Sequence, residues 1–352
     1  MLRTFERSAG ISIQAQSPVQ DYADVVLKSL TEIVHLEYTP SKLPPKPSDE
    51  WTRFICISDT HSRTFDVPSG DVLLHSGDLT NTGTVNDFEK TMDWLYSLPH
   101  KTKIIIAGNH DLTLDTEFYE REHARMHGNR GLGKQVCAVQ GTSASSCSQA
   151  QPIMNMLQGS RAKKSGIVYL QDQEYKFQAK KDGRFWSVYG SPWSPEFCHW
   201  GFAYNPEDAE ELVSKFPKTD ILLTHGPPLE IFDEVLSGFK AGCKALRSRL
   251  SELRPRMHLF GHIHEAHGAH IHTWDPAFDN APPTIQNSDS SMSSDGRPAS
   301  TEESGPGDAV LDKTVFINAA SWPMGRNAFR RDGDRPPFGG PGFQPVVVDL
   351  KD

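Results

Sequence analysis

The stretch KIIIAGNHDL, residues 103–112, ends an apolar run with three polar side chains in direct succession. The run Ile104–Ile106 indicates a buried strand that stops at a glycine, and Asn109, His110 and Asp111 follow it. A short apolar run bounded by a turn residue is typical of a strand that is covered on both faces, as in parallel sheets. The sequence therefore predicts a buried strand that delivers an amide, an imidazole and a carboxylate to one point.

Four further segments have the same form, an apolar run followed by a polar turn. They are RFICISDTHS, DVLLHSGDLT, TDILLTHGPP and MHLFGHIHEAHGAHI, which begin at residues 53, 71, 219 and 257. Between them, VNDFEKTMDWLYSLP places Phe88, Met92 and Leu95 on one helical face, and DTEFYEREHARMHG and KALRSRLSEL also predict helices. Alternating strands and helices predict an α/β layered domain, in which ligands bind beyond the carboxyl ends of the strands.

The chain divides by composition into a leading segment and one domain. Residues 1–50 form a lead-in, with YADVVLKSLTEIVHL predicted as one amphipathic helix and TPSKLPPKPSDE as a proline-rich linker. The domain is expected to span residues 51–352. Two low-complexity segments within it, 128–150 and 276–310, predict flexible insertions.

Composition and charge exclude several classes of protein. The 352 residues are 37% hydrophobic and carry a formal net charge of −9, which argues against long nucleic acid or an anionic membrane as a partner. No run approaches the roughly 20 apolar residues of a membrane span. Five cysteines, an odd number without a CxxC pair, indicate reduced thiols and a cytoplasmic protein. An organelle-targeting role of MLRTFERSAGISIQAQ is the open alternative, although its acidic residue argues against it.

The polar side chains at the five strand ends are all nitrogen or oxygen donors. They are Asp59, His61, Asp78, Asn109, His110, His225, His262 and His264. Each one alone would also suit an ordinary turn or cap, but five sets at successive strand ends favour a site for two divalent metals. Imidazoles with carboxylates suit Mn, with Fe, Zn, Co or Ni as alternatives. Asp78 is the natural bridge, and the net positive centre would attract a phosphate group.

The blocks DTH, GDLT, GNHD, THGPP and GHIH resemble, in order, the five signature blocks of the calcineurin-like metallophosphoesterases. The flanking ISDTHSR, YGSPW, LFGHIHEAHG and FINAAS are most similar to the metallophosphoesterase-domain-containing, class III phosphodiesterase-like subfamily. The resemblance covers about residues 51–275 and 313–350. It implies a four-layer α/β/β/α sandwich.

The resemblance also implies a role for each donor. It assigns Asp59, His61 and His264 to one metal, Asn109, His225 and His262 to the other, and Asp78 to both. His110 would be the catalytic histidine, which protonates the leaving oxygen or stabilises the transition state while a metal-bound hydroxide attacks phosphorus. Asp111 is expected to orient His110. Because both His262 and His264 are present, a complete dinuclear site is expected.

The expected activity is hydrolysis of phosphodiesters, or of phosphomonoesters, in small or nucleotide-like substrates. Protein serine/threonine phosphatases of the superfamily that this chain resembles carry an arginine soon after GD and a GNHE block. Here the blocks read GDLTNTG and GNHD, so the resemblance implies activity on small phosphoesters rather than on phosphoproteins. Arg63 is expected to contact substrate phosphate, with a surface ion pair as the alternative. Trp193 is expected to stack on the substrate, with a core position as the alternative, and Trp200 is a weaker candidate of the same kind. The competing hypothesis is a metal- and nucleotide-binding scaffold module with low activity.

Overall fold

The computed structural model describes residues 24–127, 150–275, 282, 284–286, 311–325, 328 and 335–352. The predicted flexible insertions at 128–150 and 276–310 lie almost entirely outside the described residues. One described part of the second insertion is ordered against the domain. Ile285 is buried, and its amide donates to the Glu230 carbonyl at 2.7 Å, while the Phe232 amide donates to the Ile285 carbonyl at 2.8 Å.

Strands make up most of the described secondary structure. In chain order they are β1 (Val25–Lys28), β2 (Glu32–Glu37), β3 (Trp51–Ile57), β4 (Val72–Ser76), β5 (Thr102–Ile106), β6 (Ile167–Leu170), β7 (Gln173–Gln178), β8 (Phe185–Ser191), β9 (Ser194–Pro195), β10 (Ala203–Tyr204), β11 (Ile221–Thr224), β12 (Met257–Phe260), β13 (Gly268–Thr273), β14 (Lys313–Asn318) and β15 (Val346–Lys351).

Helices connect the parallel strands and flank the sheets. They are α1 (Val85–Ser97), α2 (Thr116–His127), α3 (Ala150–Gln158), α4 (Ser160–Lys164), α5 (Ala209–Ser214) and α6 (Lys244–Leu253). Short 3-10 turns lie at Pro40–Lys42, Leu112–Leu114, Pro206–Asp208 and His264–Ala266. No helix among these described elements is long and apolar enough to cross a bilayer.

The strands form two large sheets, each with parallel strands at its centre. The first sheet has the order β1-β2-β15-β3-β4-β5-β6, and β3 to β6 are parallel to one another. The second has the order β13-β14-β12-β11-β8-β7, with β8, β11, β12 and β14 parallel. The remaining pairings within these two sheets are antiparallel.

Three hydrophobic clusters separate the layers. The inner faces of the two sheets pack together, and the Phe54 and Trp186 rings meet edge to face at 5.0 Å between them. Helices α1, α3 and α4 cover the outer face of the first sheet, and α5 and α6 cover the outer face of the second. This arrangement confirms the predicted four-layer α/β/β/α sandwich.

Helix α1 forms as its sequence predicts. Thr84 accepts a hydrogen bond from the Asp87 amide while the Asp87 side chain accepts from the Thr84 amide, a reciprocal capping box that satisfies two free donors at the helix start. The predicted apolar face of Phe88, Met92 and Leu95 is fully buried against the first sheet.

The helix predicted within the lead-in is wrong. YADVVLKSLTEIVHL contributes β1 and β2, an antiparallel pair, and Val34 is fully buried. The segment carries enough apolar residues for either structure, and the strand form is selected because β15 offers β2 a partner edge. Residues 25–37 therefore belong to the first sheet rather than to a separate leading segment.

Candidate metal centre

The loops after β3, β4, β5, β11 and β12 converge at one edge of the molecule, as the sequence predicted. Four donor residues there have left-handed backbones, with φ of 53° at Asp59, 46° at His61, 53° at Asp78 and 66° at His262. Non-glycine residues rarely adopt this conformation, and it persists where surrounding contacts enforce it, often at functional sites. The Asp59 amide donates to the Gly77 carbonyl at 3.0 Å, which ties the first loop to the second.

Asp59, His61, Asp78 and His264 form a first group of donors. One ligand atom from each lies within 4.8 Å of all the others. His264 Nε2 is 3.1 Å from Asp59 Oδ1 and 3.2 Å from His61 Nε2. Two ligands at about 2.0–2.2 Å from a shared cation are at most about 4.4 Å apart. The distances of 3.1 and 3.2 Å lie within this limit, and the four side chains together could hold one divalent metal ion.

The ionisable side chains of this group shift one another's pKa values. Burial by itself would raise the pKa of Asp59, but the hydrogen bond and the charge of His264 hold that pKa well below its usual range. Burial would lower the pKa of His264, and the Asp59 carboxylate raises it instead. Burial, followed by the charges of His264 and His110, keeps the pKa of His61 well below its usual value. These directions favour an ionised Asp59 carboxylate and a neutral His61 imidazole, the forms in which these two side chains can bind a metal.

Asn109, His225 and His262 form a second group. The Asn109 Oδ1 lies 2.8 Å from His225 Nε2 and 2.8 Å from His262 Nδ1. His225 Nδ1 donates to the Ser76 carbonyl at 3.0 Å, so the lone pair of a neutral ring is on Nε2 and faces the amide oxygen. An imidazole nitrogen and an amide oxygen at this separation can both bind the same cation. The second group therefore also fits a divalent metal.

Asp78 lies between the two groups. Its Oδ2 is 3.6 Å from His61 Nε2, and its Oδ1 is 3.4 Å from His225 Nε2. Each carboxylate oxygen thus faces a different group. The side chain is almost completely buried, and Oδ1 also accepts the His110 amide at 2.8 Å, which fixes its orientation.

Two glycines make room for the carboxylates. A Cβ on Gly261 would lie 2.0 Å from the Asp59 Oδ2, and a Cβ on Gly108 would lie 2.4 Å from the Asp78 Oδ1. Any larger residue would displace these carboxylates, which explains the glycine that precedes the polar residues in the GNHD and GHIH blocks.

His110 and Asp111 have different environments, and the predicted contact between them is wrong. The His110 Nδ1 donates to the Asn81 carbonyl at 2.7 Å. The Asp111 carboxylate instead accepts from the Leu79, Thr80 and Gly108 amides at 2.8–3.1 Å. These hydrogen bonds satisfy backbone N–H groups of the loop after β4 and of the loop after β5. Asp111 therefore holds these two loops together. Burial and the Asp78 charge raise the pKa of Asp111 to about 7.

Aromatic rings border the donors. The Trp200 ring lies 4.1 Å from the His110 ring, tilted by 33°. The Trp322 ring stacks on His264 at 5.2 Å and meets His61 edge to face at 4.7 Å. Trp200 was a weaker candidate from the sequence, and Trp322 was not predicted. Its signal was the FINAASW run, in which Trp322 follows the end of β14 as the ligands follow the other parallel strands.

The two predicted substrate-binding residues lie in different places. Arg63 lines a cleft of about 290 Å³ next to His61 and Trp322. Trp193 packs edge to face on Phe202 at 5.4 Å, and its indole N–H donates to Asp172 at 2.8 Å. A contact of either side chain with substrate stays a prediction.

The sequence has counterparts among known proteins. A family model described as calcineurin-like phosphoesterase matches residues 52–266. The chain is 40% identical over 232 residues to metallophosphoesterase domain-containing protein 1 of Homo sapiens, an alignment that covers 64% of each chain, and equally to its Mus musculus counterpart. It is 34% identical over 239 residues to probable rhamnogalacturonate lyase C of Emericella nidulans, which covers 66% of this chain and 19% of that one.

The chain thus spans 64% of the length of the mammalian relatives. Among solved structures, TT1561 of Thermus thermophilus aligns with a TM-score of 0.38 and 11% identity, over 63% of this chain and 84% of that one. The family match covers all five strand-end blocks and both groups of donors up to His264. This chain belongs to the calcineurin-like phosphoesterase family.

Proposed function

We propose that this chain is a phosphoesterase that uses two divalent cations and hydrolyses phosphodiesters of small or nucleotide-like substrates. The observation that carries the proposal is the position of Asp78, whose two carboxylate oxygens face His61 and His225 at 3.6 and 3.4 Å. A carboxylate that lies between two sets of donors suits a pair of cations, because its charge offsets their repulsion.

The first cation would be held by Asp59, His61, Asp78 and His264, and the second by Asp78, Asn109, His225 and His262. Such cations, when bound, supply the positive charge that holds phosphoryl oxygens and the acidity that makes water a nucleophile at neutral pH. Nitrogen and oxygen donors without a thiolate suit Mn²⁺ first, with Fe, Zn, Co or Ni as alternatives.

His110 would handle the proton of the leaving group. A carbonyl can only accept, so the contact with Asn81 places a proton on His110 Nδ1. In the imidazolium form of His110, Nε2 carries the second proton and can give it to the leaving oxygen of the substrate. The Trp200 ring against one face of His110 restricts the ring to this orientation.

The substrate class follows from what the chain presents around the donors. The acidic net charge of −9 argues against long nucleic acid, and the aromatic rings of Trp200 and Trp322 suit a planar leaving group.

The described cysteines Cys56, Cys198 and Cys243 are free thiols, which supports a cytoplasmic location.

The test compares bis-p-nitrophenyl phosphate with p-nitrophenyl phosphate. Protein is stripped of metal, reconstituted with Mn²⁺ and assayed beside His110→Ala. Diester cleavage that requires Mn²⁺ and falls at least about a hundredfold in His110→Ala is the expected result. Cleavage of the monoester alone would move the substrate class to phosphomonoesters. Bound metal without turnover of either ester would contradict the proposal and favour the scaffold hypothesis.

A further inference from the structure

A cleft beside the metal-binding groups carries two cations that the proposed reaction does not use. It has a volume of about 290 Å³ and is lined by His61, Ser62, Arg63, Asn81, Asp87, Lys90 and Trp322. His61 belongs to the first group of donors, and the Asn81 carbonyl accepts from His110. The cleft therefore opens directly onto the proposed reaction centre.

Neither cation is neutralised within the part of the chain that the structure describes. Arg63 and Lys90 are exposed, and neither side chain forms an ion pair or a hydrogen bond with a described residue. Asp87 is the carboxylate on the cleft wall. Its Oδ2 is occupied by the Thr82 hydroxyl at 2.9 Å and by the Thr82 and Thr84 amides. With Arg63, Lys90 and the Asp87 carboxylate, and with His61 counted as neutral, the cleft lining carries a formal net charge of +1.

The Arg63 guanidinium lies over an aromatic ring at this wall. It lies 5.6 Å from the centroid of the Phe338 ring, which in turn lies 5.1 Å from the Trp322 ring. A guanidinium held on an aromatic face keeps its N–H groups directed outward, where they can bind a phosphate with two parallel hydrogen bonds. Lys90 on α1 adds a second positive charge from a different element.

We propose that this cleft binds a second phosphate group of the substrate, so that the preferred substrate is a phosphoester that carries another phosphate, such as a nucleoside bisphosphate ester. The inference rests on the proposed function, because the two donor groups would already bind the scissile phosphoryl group. Arg63 and Lys90 supply positive charge beyond that requirement, and Trp322 forms an apolar part of the cleft wall.

A matched pair of chromogenic diesters tests the inference. Thymidine 5′-(p-nitrophenyl phosphate) and its 3′-phosphorylated form release the same leaving group and differ in one phosphate. Wild type is expected to favour the 3′-phosphorylated ester by about tenfold or more in kcat/KM. The ratio should fall to about one in Arg63→Gln/Lys90→Gln. Lys176→Gln, on the edge strand β7 of the second sheet, removes one charge elsewhere and should keep the wild-type ratio.

The outcomes separate the two proposals. If Mn²⁺-dependent cleavage of bis-p-nitrophenyl phosphate is observed but wild type shows no preference for the 3′-phosphorylated ester, the inference is wrong and the proposed function stands. If the preference exists but survives in the double variant, another surface binds the second phosphate and the inference is again wrong.

A binding measurement decides the inference even if no ester is hydrolysed. Isothermal titration calorimetry with thymidine 3′,5′-bisphosphate and thymidine 5′-monophosphate is run on wild type and on the double variant. Tighter binding of the bisphosphate that is lost in Arg63→Gln/Lys90→Gln supports the cleft assignment. Equal affinity of wild type for the two nucleotides overturns it.

Discussion

The imidazole of His110 lies against the indole of Trp200, with 4.1 Å between the ring centres and a tilt of 33°. His110 is thereby fixed on two sides, since its Nδ1 also donates to the Asn81 carbonyl. The tryptophan comes from the loop between β9 and β10, about 90 residues along the chain from the histidine.

We expect Trp200→Ala to lower kcat for bis-p-nitrophenyl phosphate about tenfold, because the His110 ring without this contact spends less time in the productive orientation. Trp200→Phe keeps an aromatic face and should retain most of the activity. Steady-state kinetics of both variants with Mn²⁺ provide the measurement. Equal kcat values for the alanine and phenylalanine variants would show that the stacking has no role in positioning.

Asp78→Asn should weaken metal binding in both groups. The substitution keeps one carbonyl oxygen but removes the negative charge that faces His61 and His225. Wild type should retain two Mn²⁺ per chain after gel filtration, measured by plasma mass spectrometry, and the variant at most one. Asp93→Asn is the control, because this exposed carboxylate pairs with Arg161 on the surface. Two retained ions in Asp78→Asn would disprove a bridging role.

Gly261→Ala should disturb the first group of donors by steric conflict. The added Cβ would lie 2.0 Å from the Asp59 Oδ2, so the carboxylate must move. The rise in melting temperature on adding Mn²⁺ should become much smaller than in wild type. Gly183→Ala is the matched control, since the nearest atom to its Cβ would be the Lys180 carbonyl oxygen at 3.3 Å. A full metal-induced rise in Gly261→Ala would contradict the close packing.

The stability of the metal-free protein should depend on His258. This fully buried imidazole donates from Nε2 to the Thr224 hydroxyl at 2.9 Å, and burial lowers its pKa to about 3. The unfolded chain binds the proton at about pH 6.5. Protonation therefore favours unfolding below pH 6.5, and stability falls as the pH drops from 6.5 towards 3.

His258→Gln removes this titration. The difference in unfolding free energy between wild type and variant should shrink by about 1.4 kcal/mol for each pH unit below 6.5. Urea denaturation in the presence of EDTA at pH 7.5 and pH 5.0 measures it, with the chelator removing any effect of metal release. An unchanged difference between the two pH values would mean that His258 is already protonated in the folded state or remains neutral in both states.

The central strands and the donors could be predicted because their signals are local. Each apolar run ends in its own polar turn, as with Ile106 before Asn109, and parallel strands bring such ends to one edge of a sheet. The resemblance to family blocks then supplied the grouping of the donors. The helix predicted around Val34 failed because the alternative depends on β15, a partner more than 300 residues away that a local pattern does not reveal.

The surroundings of the donors were less predictable, because they too depend on residues that are distant in sequence. Trp322 reaches His61 from a distant part of the chain, and Lys90 is an ordinary exposed lysine until the fold places it beside Arg63. Asp111 was assigned to its sequence neighbour His110, yet its carboxylate binds backbone amides from two separate loops. Adjacent residues on a turn commonly point in different directions, so their proximity in sequence did not predict contact.

The position of β15 has a consequence for how the chain folds during synthesis. This strand lies between β2 and β3, and Arg53 on β3 pairs with Asp349 on β15 across 296 positions of sequence. The first sheet therefore has a gap beside β3 until residues 346–351 leave the ribosome, although all the proposed metal ligands have been translated long before. Until then β3 presents an open edge that another chain can pair with. Loss of residues 346–351 would make that exposure permanent. We therefore expect the nascent protein to be prone to aggregation until β15 pairs with β3.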